Sequence, residues 1–170
     1  MRPAMPALAW CTARYIAGQR QRGWCASKPL STAQQAELSP FFAESLLCET
    51  RITHSEVPNP WFYPLAGALG IYDLPDTQSI GAITFVDLIV CPGRLSIETL
   101  FHELVHVAQY RVLGLRGFAQ RYVEGLLRTG AYITIPLEVQ AYDLEERFRK
   151  NSRPFLVTAD VEQRLENGLL

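Results

Sequence analysis

The sequence predicts an α+β fold that is mainly helical, with a small β-sheet. The strongest helical pattern runs through residues 96–113, where Ser96 is a good N-cap and Gly114 is the natural end. Directly before this helix, residues 81–85 and 88–90 are apolar and rich in β-branched side chains, which predicts two strands. At 170 residues the chain is long enough to bury the core of a single domain.

The remaining elements follow from caps, stops and prolines. A helix capped by Ser31-Thr32 is expected to extend to residue 47 or 48, although Pro40 falls inside it. The other expected elements, in chain order, are a helix over 4–22, a strand over 51–53, an irregular proline-rich segment over 57–64, a helical turn over 66–70, and helices over 117–128, 136–150 and 159–167. Gly130 should end the helix over 117–128, and Pro136 is well placed to open the helix over 136–150.

Composition and charge exclude several classes of partner. Apolar residues make up 48% of the chain and charged residues 19%, as in soluble globular proteins. A net charge of −1 gives no reason to expect binding to nucleic acid or to an anionic membrane surface. No apolar run approaches the roughly 20 residues of a membrane span. Residues 1–36 hold five basic residues and no acidic one. We interpret residues 1–30 as a basic N-terminal extension, either a targeting segment or, by preference, an exposed helical face.

The four cysteines are widely spaced and form no CxxC pair, which argues against a cysteine-based zinc site or a redox motif. The apolar run 4–10 is short and is broken by Pro6, so it does not resemble a secretory signal. Reduced thiols in the cytoplasm are therefore expected, and two disulfides in a secreted protein are the alternative. The cysteines are Cys11, Cys25, Cys48 and Cys91.

The central helix carries the pattern HExxH, spelled His102-Glu103-Leu104-Val105-His106. Residues four apart lie on one face of a helix, so both imidazoles can bind one Zn²⁺ ion at roughly 2.0–2.1 Å. Glu103 can then take a proton from a metal-bound water as general base. Alternatively, the histidines are ordinary helix residues and the glutamate is solvated. The helix is apolar nearly all round, however, so its polar side chains are expected to be buried and to need a metal as partner.

A zinc site needs a third protein ligand. No histidine follows His106, and the position of the third metzincin histidine is occupied by Val112. Glu138 is the favoured ligand because it opens a helix and precedes the small residue Ala141, which allows close packing. The alternatives are Glu124, His54, Asp143 or no third ligand from the chain.

The HELVH motif and the later E-x-x-A helix resemble the small single-domain gluzincins of bacteria, including the ImmA/IrrE-type zincins and several uncharacterised HExxH families. The resemblance covers roughly residues 80–150, which would be the catalytic core. It implies a minimal zincin-like domain, with a small β-sheet over the HExxH helix and a later helix that brings the third ligand. By this resemblance His102 and His106 are the first two zinc ligands, Glu103 is the catalytic base and Glu138 is the third ligand.

Many gluzincins have an aspartate four residues after the ligand glutamate, where it orients the first histidine. That position is Tyr142 in this chain, and Asp143 comes next. We expect Tyr142 to pack in the fold, with stabilisation of a tetrahedral intermediate as its alternative role.

These observations predict zinc-dependent hydrolysis of a peptide or protein substrate. In such folds the edge strand of the sheet commonly binds an extended peptide by adding a strand, and Ile83-Thr84-Phe85 is the candidate here. Plain strand pairing within the domain is the alternative for this strand. The alternative is a zincin-like binding or regulatory module, catalytically silent or self-blocked, with a structural zinc.

Overall fold

The computed structural model describes residues 4–68, 74, 76, 77, 80–150 and 153–170. Within these ranges the elements are α1 (Ala4–Trp24), β1 (Lys28–Pro29), α2 (Thr32–Leu38), α3 (Glu44–Glu49), β2 (Arg51–His54), α4 (Tyr63–Ala68), β3 (Ile83–Phe85), β4 (Leu88–Cys91), α5 (Ile97–Thr129), a 3-10 turn (Tyr132–Thr134), α6 (Pro136–Arg149) and α7 (Val157–Glu166). The predicted α+β class, mainly helical with a small sheet, is confirmed. None of the described helices has both the length and the apolar character needed to cross a membrane.

Helix α5 begins and breaks where the sequence predicts. The Ser96 hydroxyl accepts a hydrogen bond from the backbone N–H of Thr99 at 3.1 Å, which caps the helix. Gly114 has φ 68° and ψ 163°, outside the helical region, and so divides α5 into a first segment, 97–113, and a second segment, 115–129. The second segment ends at Gly130, which is left-handed with φ 76°. The two predicted helices are therefore joined at a single residue, without a loop.

The predicted single helix from Ser31 to residue 47 or 48 is wrong, because the chain forms α2 and α3 separately. Pro40 has no backbone N–H to continue a helix. Beyond it, Phe41 and Phe42 turn inward and both donate their backbone N–H groups to the Leu38 carbonyl. Two elements were not predicted, β1 and the 3-10 turn, and α4 covers the expected turn as far as residue 68. Residues 69 and 70 lie outside the described ranges.

The sheet lies between α1 and the first segment of α5. Its described strands have the order β1-β2-β4-β3, with β2 and β4 parallel and the other pairs antiparallel, so that β3 is at an edge. Along β4, Ile89 and Cys91 pack with Leu104 of α5, whereas Leu88 and Val90 pack with the α1 side. This alternation of period two buries both faces of the strand.

Helix α1 is held against the sheet by Arg20. Arg20 donates from Nη2 to Asp87 Oδ2 at 2.7 Å, in the turn between β3 and β4. This hydrogen bond raises the pKa of Arg20. The Trp24 ring lies under the guanidinium groups of Arg20 and Arg51, whose centres are 4.3 and 5.3 Å from the ring centroid. Residues 4–24 are thus packed into the domain.

The start of α6 is set by its close approach to Gly125 of α5. A Cβ atom at Gly125 would lie 2.9 Å from both Ile135 Cγ2 and Pro136 Cδ. We expect Gly125→Ala to lower the free energy of unfolding by about 1–3 kcal/mol through overpacking, as measured by urea denaturation. At Gly18, inside α1, a Cβ would meet no described atom within 4 Å. Gly18→Ala should therefore stabilise by up to about 1 kcal/mol. Equal unfolding midpoints for the two variants would contradict this prediction.

Candidate metal centre

The first segment of α5 presents His102 and His106 on one face, one helical turn apart. Their Nε2 atoms are 3.2 Å from each other. Both residues are buried, with 6% and 5% of their surfaces exposed. The apolar residues around them on α5 exclude water, so these nitrogens must find partners within the fold.

Glu138 reaches the same point from α6. It lies in the first turn of that helix, which Pro136 opens, and only 3% of its surface is exposed. Its Oε2 is 3.4 Å from His106 Nε2 and 3.6 Å from His102 Nε2. Three ligand atoms from two helices therefore converge, all within 4.8 Å of one another.

The geometry of the three atoms fits a metal ion. Ligand atoms bound at roughly 2.0–2.1 Å in a tetrahedral site are about 3.3–3.4 Å from one another. The three separations found are 3.2, 3.4 and 3.6 Å. Oε2 of Glu138 is buried and makes no hydrogen bond with any described residue, which is costly for a carboxylate oxygen unless a cation binds there. Two imidazoles and one carboxylate suit zinc and also other divalent transition metals.

The other nitrogens of both imidazoles are held by acceptors. His102 Nδ1 is 3.0 Å from Glu145 Oε2, and a carboxylate can only accept, so Nδ1 donates. His106 Nδ1 is 2.8 Å from Gln109 Oε1. Gln109 donates from Nε2 to the Leu137 carbonyl at 2.9 Å, which turns its own oxygen towards His106. Both Nε2 lone pairs therefore remain available to a metal ion, as in metal-binding histidines generally.

Glu145 is a site residue that the sequence reasoning missed. It lies seven residues after Glu138, two turns along the same face of α6, and this spacing could have revealed it. The expected positions have other contacts. The ring of Tyr142 packs on His102 with centroids 4.6 Å apart, while Asp143 accepts a hydrogen bond from Arg164 at 3.1 Å.

The hydrogen bond from Glu145 predicts a moderate effect on metal binding. Glu145→Ala should weaken zinc affinity by about 10–100-fold, because the His102 ring loses the acceptor that orients it. Competition with a chelating dye measures this change. Asp143→Ala on the same helix is the matched control and should keep the wild-type affinity. Equal losses in the two variants would contradict the role of Glu145.

The electrostatics favour a positive charge where the three side chains meet. Burial opposes a charge on Glu138, but the two imidazoles outweigh it and hold the pKa of Glu138 at about 2. Burial likewise opposes a charge on His106, and the Glu138 carboxylate outweighs it and raises the pKa of His106 to about 9. A carboxylate thus persists at this buried point only with cationic neighbours.

Glu103 lies apart from this cluster. Its Oε2 accepts a hydrogen bond from the Thr84 hydroxyl of β3 at 2.7 Å, which ties it to the edge strand. Glu103 is buried, and burial raises its pKa, although both imidazoles act in the opposite direction. A buried carboxylate with a raised pKa is suited to accept and release a proton.

His106, Glu138 and Glu103 form one end of a cavity of about 120 Å³. The cavity is walled by α1, by β3 and by the second segment of α5. Tyr132, in the unpredicted 3-10 turn, also lines it. The sequence offered no sign of this residue, because a three-residue turn leaves no periodic pattern.

The other ligand candidates lie in different contacts. Glu124 accepts a hydrogen bond from Gln120 at 3.4 Å, and His54 Nδ1 lies 3.4 Å from Cys91 Sγ. Asp143 belongs to the ion pair with Arg164. Each of the four cysteines, all within the described ranges, is a free thiol.

The candidate metal centre thus consists of three converging ligand atoms, two of which belong to the oriented imidazoles. The separate carboxylate of Glu103 lies beside them at one end of a cavity. These features come from α5, α6 and β3 of this chain. No model of a protein family, no curated protein and no solved structure matches the chain.

Proposed function

We propose that this chain is a zinc-dependent peptidase, in which His102, His106 and Glu138 hold the ion and Glu103 is the general base. The observation that carries the proposal is the convergence of three buried ligand atoms, one of them an unpartnered carboxylate oxygen. Two histidines four apart, a glutamate ligand and an adjacent glutamate form the donor set of the bacterial gluzincins that the motif resembles. We therefore propose a zincin-like catalytic core over residues 80–150.

In the proposed mechanism, His102, His106 and Glu138 would hold zinc, which would supply a Lewis acid that lowers the pKa of water to about 7 and polarises the scissile carbonyl. Glu103 accepts the proton of the attacking water and then gives it to the leaving amine. The Thr84 hydroxyl fixes the orientation of the Glu103 carboxylate by its 2.7 Å hydrogen bond. The burial of Glu103 keeps bulk water away from the transferred proton.

We propose that the peptide lies along β3. This strand is at the sheet edge, and all three of its residues line the cavity that holds Glu103. The Tyr110 hydroxyl donates a hydrogen bond to the Thr84 carbonyl at 3.4 Å, which is long and therefore weak. A backbone N–H of the peptide could replace the hydroxyl as the donor to this carbonyl. The free cysteines fit a reducing cytoplasm, which we propose as the compartment.

The proposal predicts one zinc ion per chain. Protein purified without added metal should contain it by elemental mass spectrometry, and His102→Ala/His106→Ala should contain none, because two of the three ligands are gone. A peptide library incubated with the zinc-loaded protein tests hydrolysis. Unchanged zinc content in the double variant would refute the metal site. Zinc without cleavage of any peptide would favour a zinc-containing binding module.

A further inference from the structure

The cavity beside the candidate metal centre is largely apolar away from its polar end. Leu8 and Ile16 of α1 form one wall, and Val123 and Leu126 of the second segment of α5 form another. All four side chains are buried. The rings of Tyr110 and Phe118, stacked with centroids 3.8 Å apart, also line it.

The threonine hydroxyls in the cavity wall are already engaged. Thr12 donates to the Leu8 carbonyl at 2.9 Å, and Thr77 donates to the Val57 carbonyl at 2.8 Å. Thr84 donates to Glu103. A polar or charged side chain entering the cavity would lose its water and gain little from these groups. An apolar side chain would bury its surface at no such loss.

The size of the cavity limits what it can hold. Its volume is about 120 Å³. An apolar cavity of about 150 Å³ binds a benzene molecule. The space therefore matches one aromatic or branched aliphatic side chain, and not a longer segment of chain.

We propose that this cavity takes one bulky apolar side chain of the substrate, next to the scissile peptide bond, and that α1 and the second segment of α5 determine this specificity. The inference rests on the proposed function, because Glu103, His106 and Glu138 form the end of the cavity at which the peptide bond must lie. The substrate class is then a peptide with a Phe-like or Leu-like residue beside the cleaved bond. Peptides with Asp at that position are excluded, because its charge would be buried beside the carboxylates of Glu103 and Glu138.

The test compares two hydroxamates on the zinc-loaded protein, because a hydroxamate binds zinc whether or not hydrolysis occurs. One carries a benzyl group and the other only a methyl group. The benzyl compound should bind about 10–100-fold more tightly by calorimetry, since only its ring fills the cavity. In the peptide library, cleavage should favour Phe or Leu over Ala beside the bond by a similar factor.

Three variants of α5 separate the cavity from general effects on the fold. Val123→Phe fills part of the space and should abolish most of the preference for the benzyl compound. Leu126→Ala enlarges it and should shift the preference to a naphthyl compound. Leu127→Phe is the matched control, because Leu127 is half-buried on the same segment but is not among the described lining residues. It should bind both compounds as the wild type does.

The outcomes distinguish the two proposals. If the wild type binds both hydroxamates equally, or if Val123→Phe and Leu126→Ala both keep its preference, the cavity assignment is wrong and the peptidase proposal is untouched. If the benzyl preference responds to both substitutions but no peptide is cleaved, the peptidase proposal fails and the cavity assignment stands. If neither hydroxamate binds, both proposals fail together.

Discussion

Glu103→Gln should retain zinc and fold while losing peptide cleavage by about 10²–10⁴-fold, the usual contribution of a general base. Glutamine keeps the shape of the side chain and an oxygen that can accept the hydrogen bond from the Thr84 hydroxyl. It cannot take a proton from water at neutral pH. Glu103 is not one of the three converging ligands, so its replacement leaves the ion in place. Steady-state cleavage of one library peptide, with zinc content measured on the same sample, gives both quantities.

The matched control for this prediction is Glu98→Gln, on the first turn of the same helix and away from the described cavity lining. It should cleave as the wild type does. If Glu103→Gln cleaves peptides at the wild-type rate, the carboxylate is not the base and the mechanism must be abandoned. A loss of zinc together with activity would instead make Glu103 part of the metal site.

Glu138→Ala should weaken zinc binding by more than the roughly 10–100-fold expected for an orienting residue such as Glu145. The substitution removes one of three protein ligands and the only carboxylate among them. It also leaves two imidazoles facing each other at 3.2 Å without a negative charge between them. Competition with a chelating dye measures the affinity, and the wild-type fold is checked by circular dichroism.

Glu124→Ala is the control, since Glu124 is a glutamate of α5 whose described hydrogen bond is with Gln120. Its zinc affinity should equal that of the wild type. The reverse result, with Glu124→Ala losing zinc and Glu138→Ala keeping it, would contradict the geometry of the candidate centre. It would also remove the resemblance to gluzincins over α6.

The elements that were predictable have strong local signals. Ser96 caps α5, Gly114 interrupts it and Pro136 opens α6, and each acts through the backbone of its own neighbours. The break between α2 and α3 also has a local signal, at Pro40, although the sequence pattern favoured one helix across it. The burial of Phe41 and Phe42 in the core adds to it. Strand β1, with two residues, is too short to show any periodicity.

The candidate site likewise has residues that local spacing predicts and residues that it does not. Its first three residues, 102, 103 and 106, follow from spacing within one helix. Glu138 required the chemical argument that a third ligand must exist, because its place at the start of a helix and the nearby Ala141 do not by themselves mark a ligand. Glu145 and the cavity depend on how α6 is rotated and placed against α5, and the packing of Ile135 and Pro136 on Gly125, which leaves no room for a Cβ atom there, is part of what sets that placement. The spacing from Glu138 to Glu145 is visible in the sequence, but the contact of Glu145 with His102 joins residues 43 apart and is not.

The interruption of α5 at Gly114 places the histidine pair and part of the cavity wall on two separate segments of the helix. Residues before it hold the histidine pair, and residues after it contribute to the wall of the cavity. Substitutions in the second segment can therefore change the shape of the cavity, and so the substrate side chain that we propose it accepts, without altering the register of the histidine pair. Under the proposed function, selectivity could be changed by substitutions on one side of a single glycine while the two proposed histidine ligands and the proposed base on the other side stay unchanged.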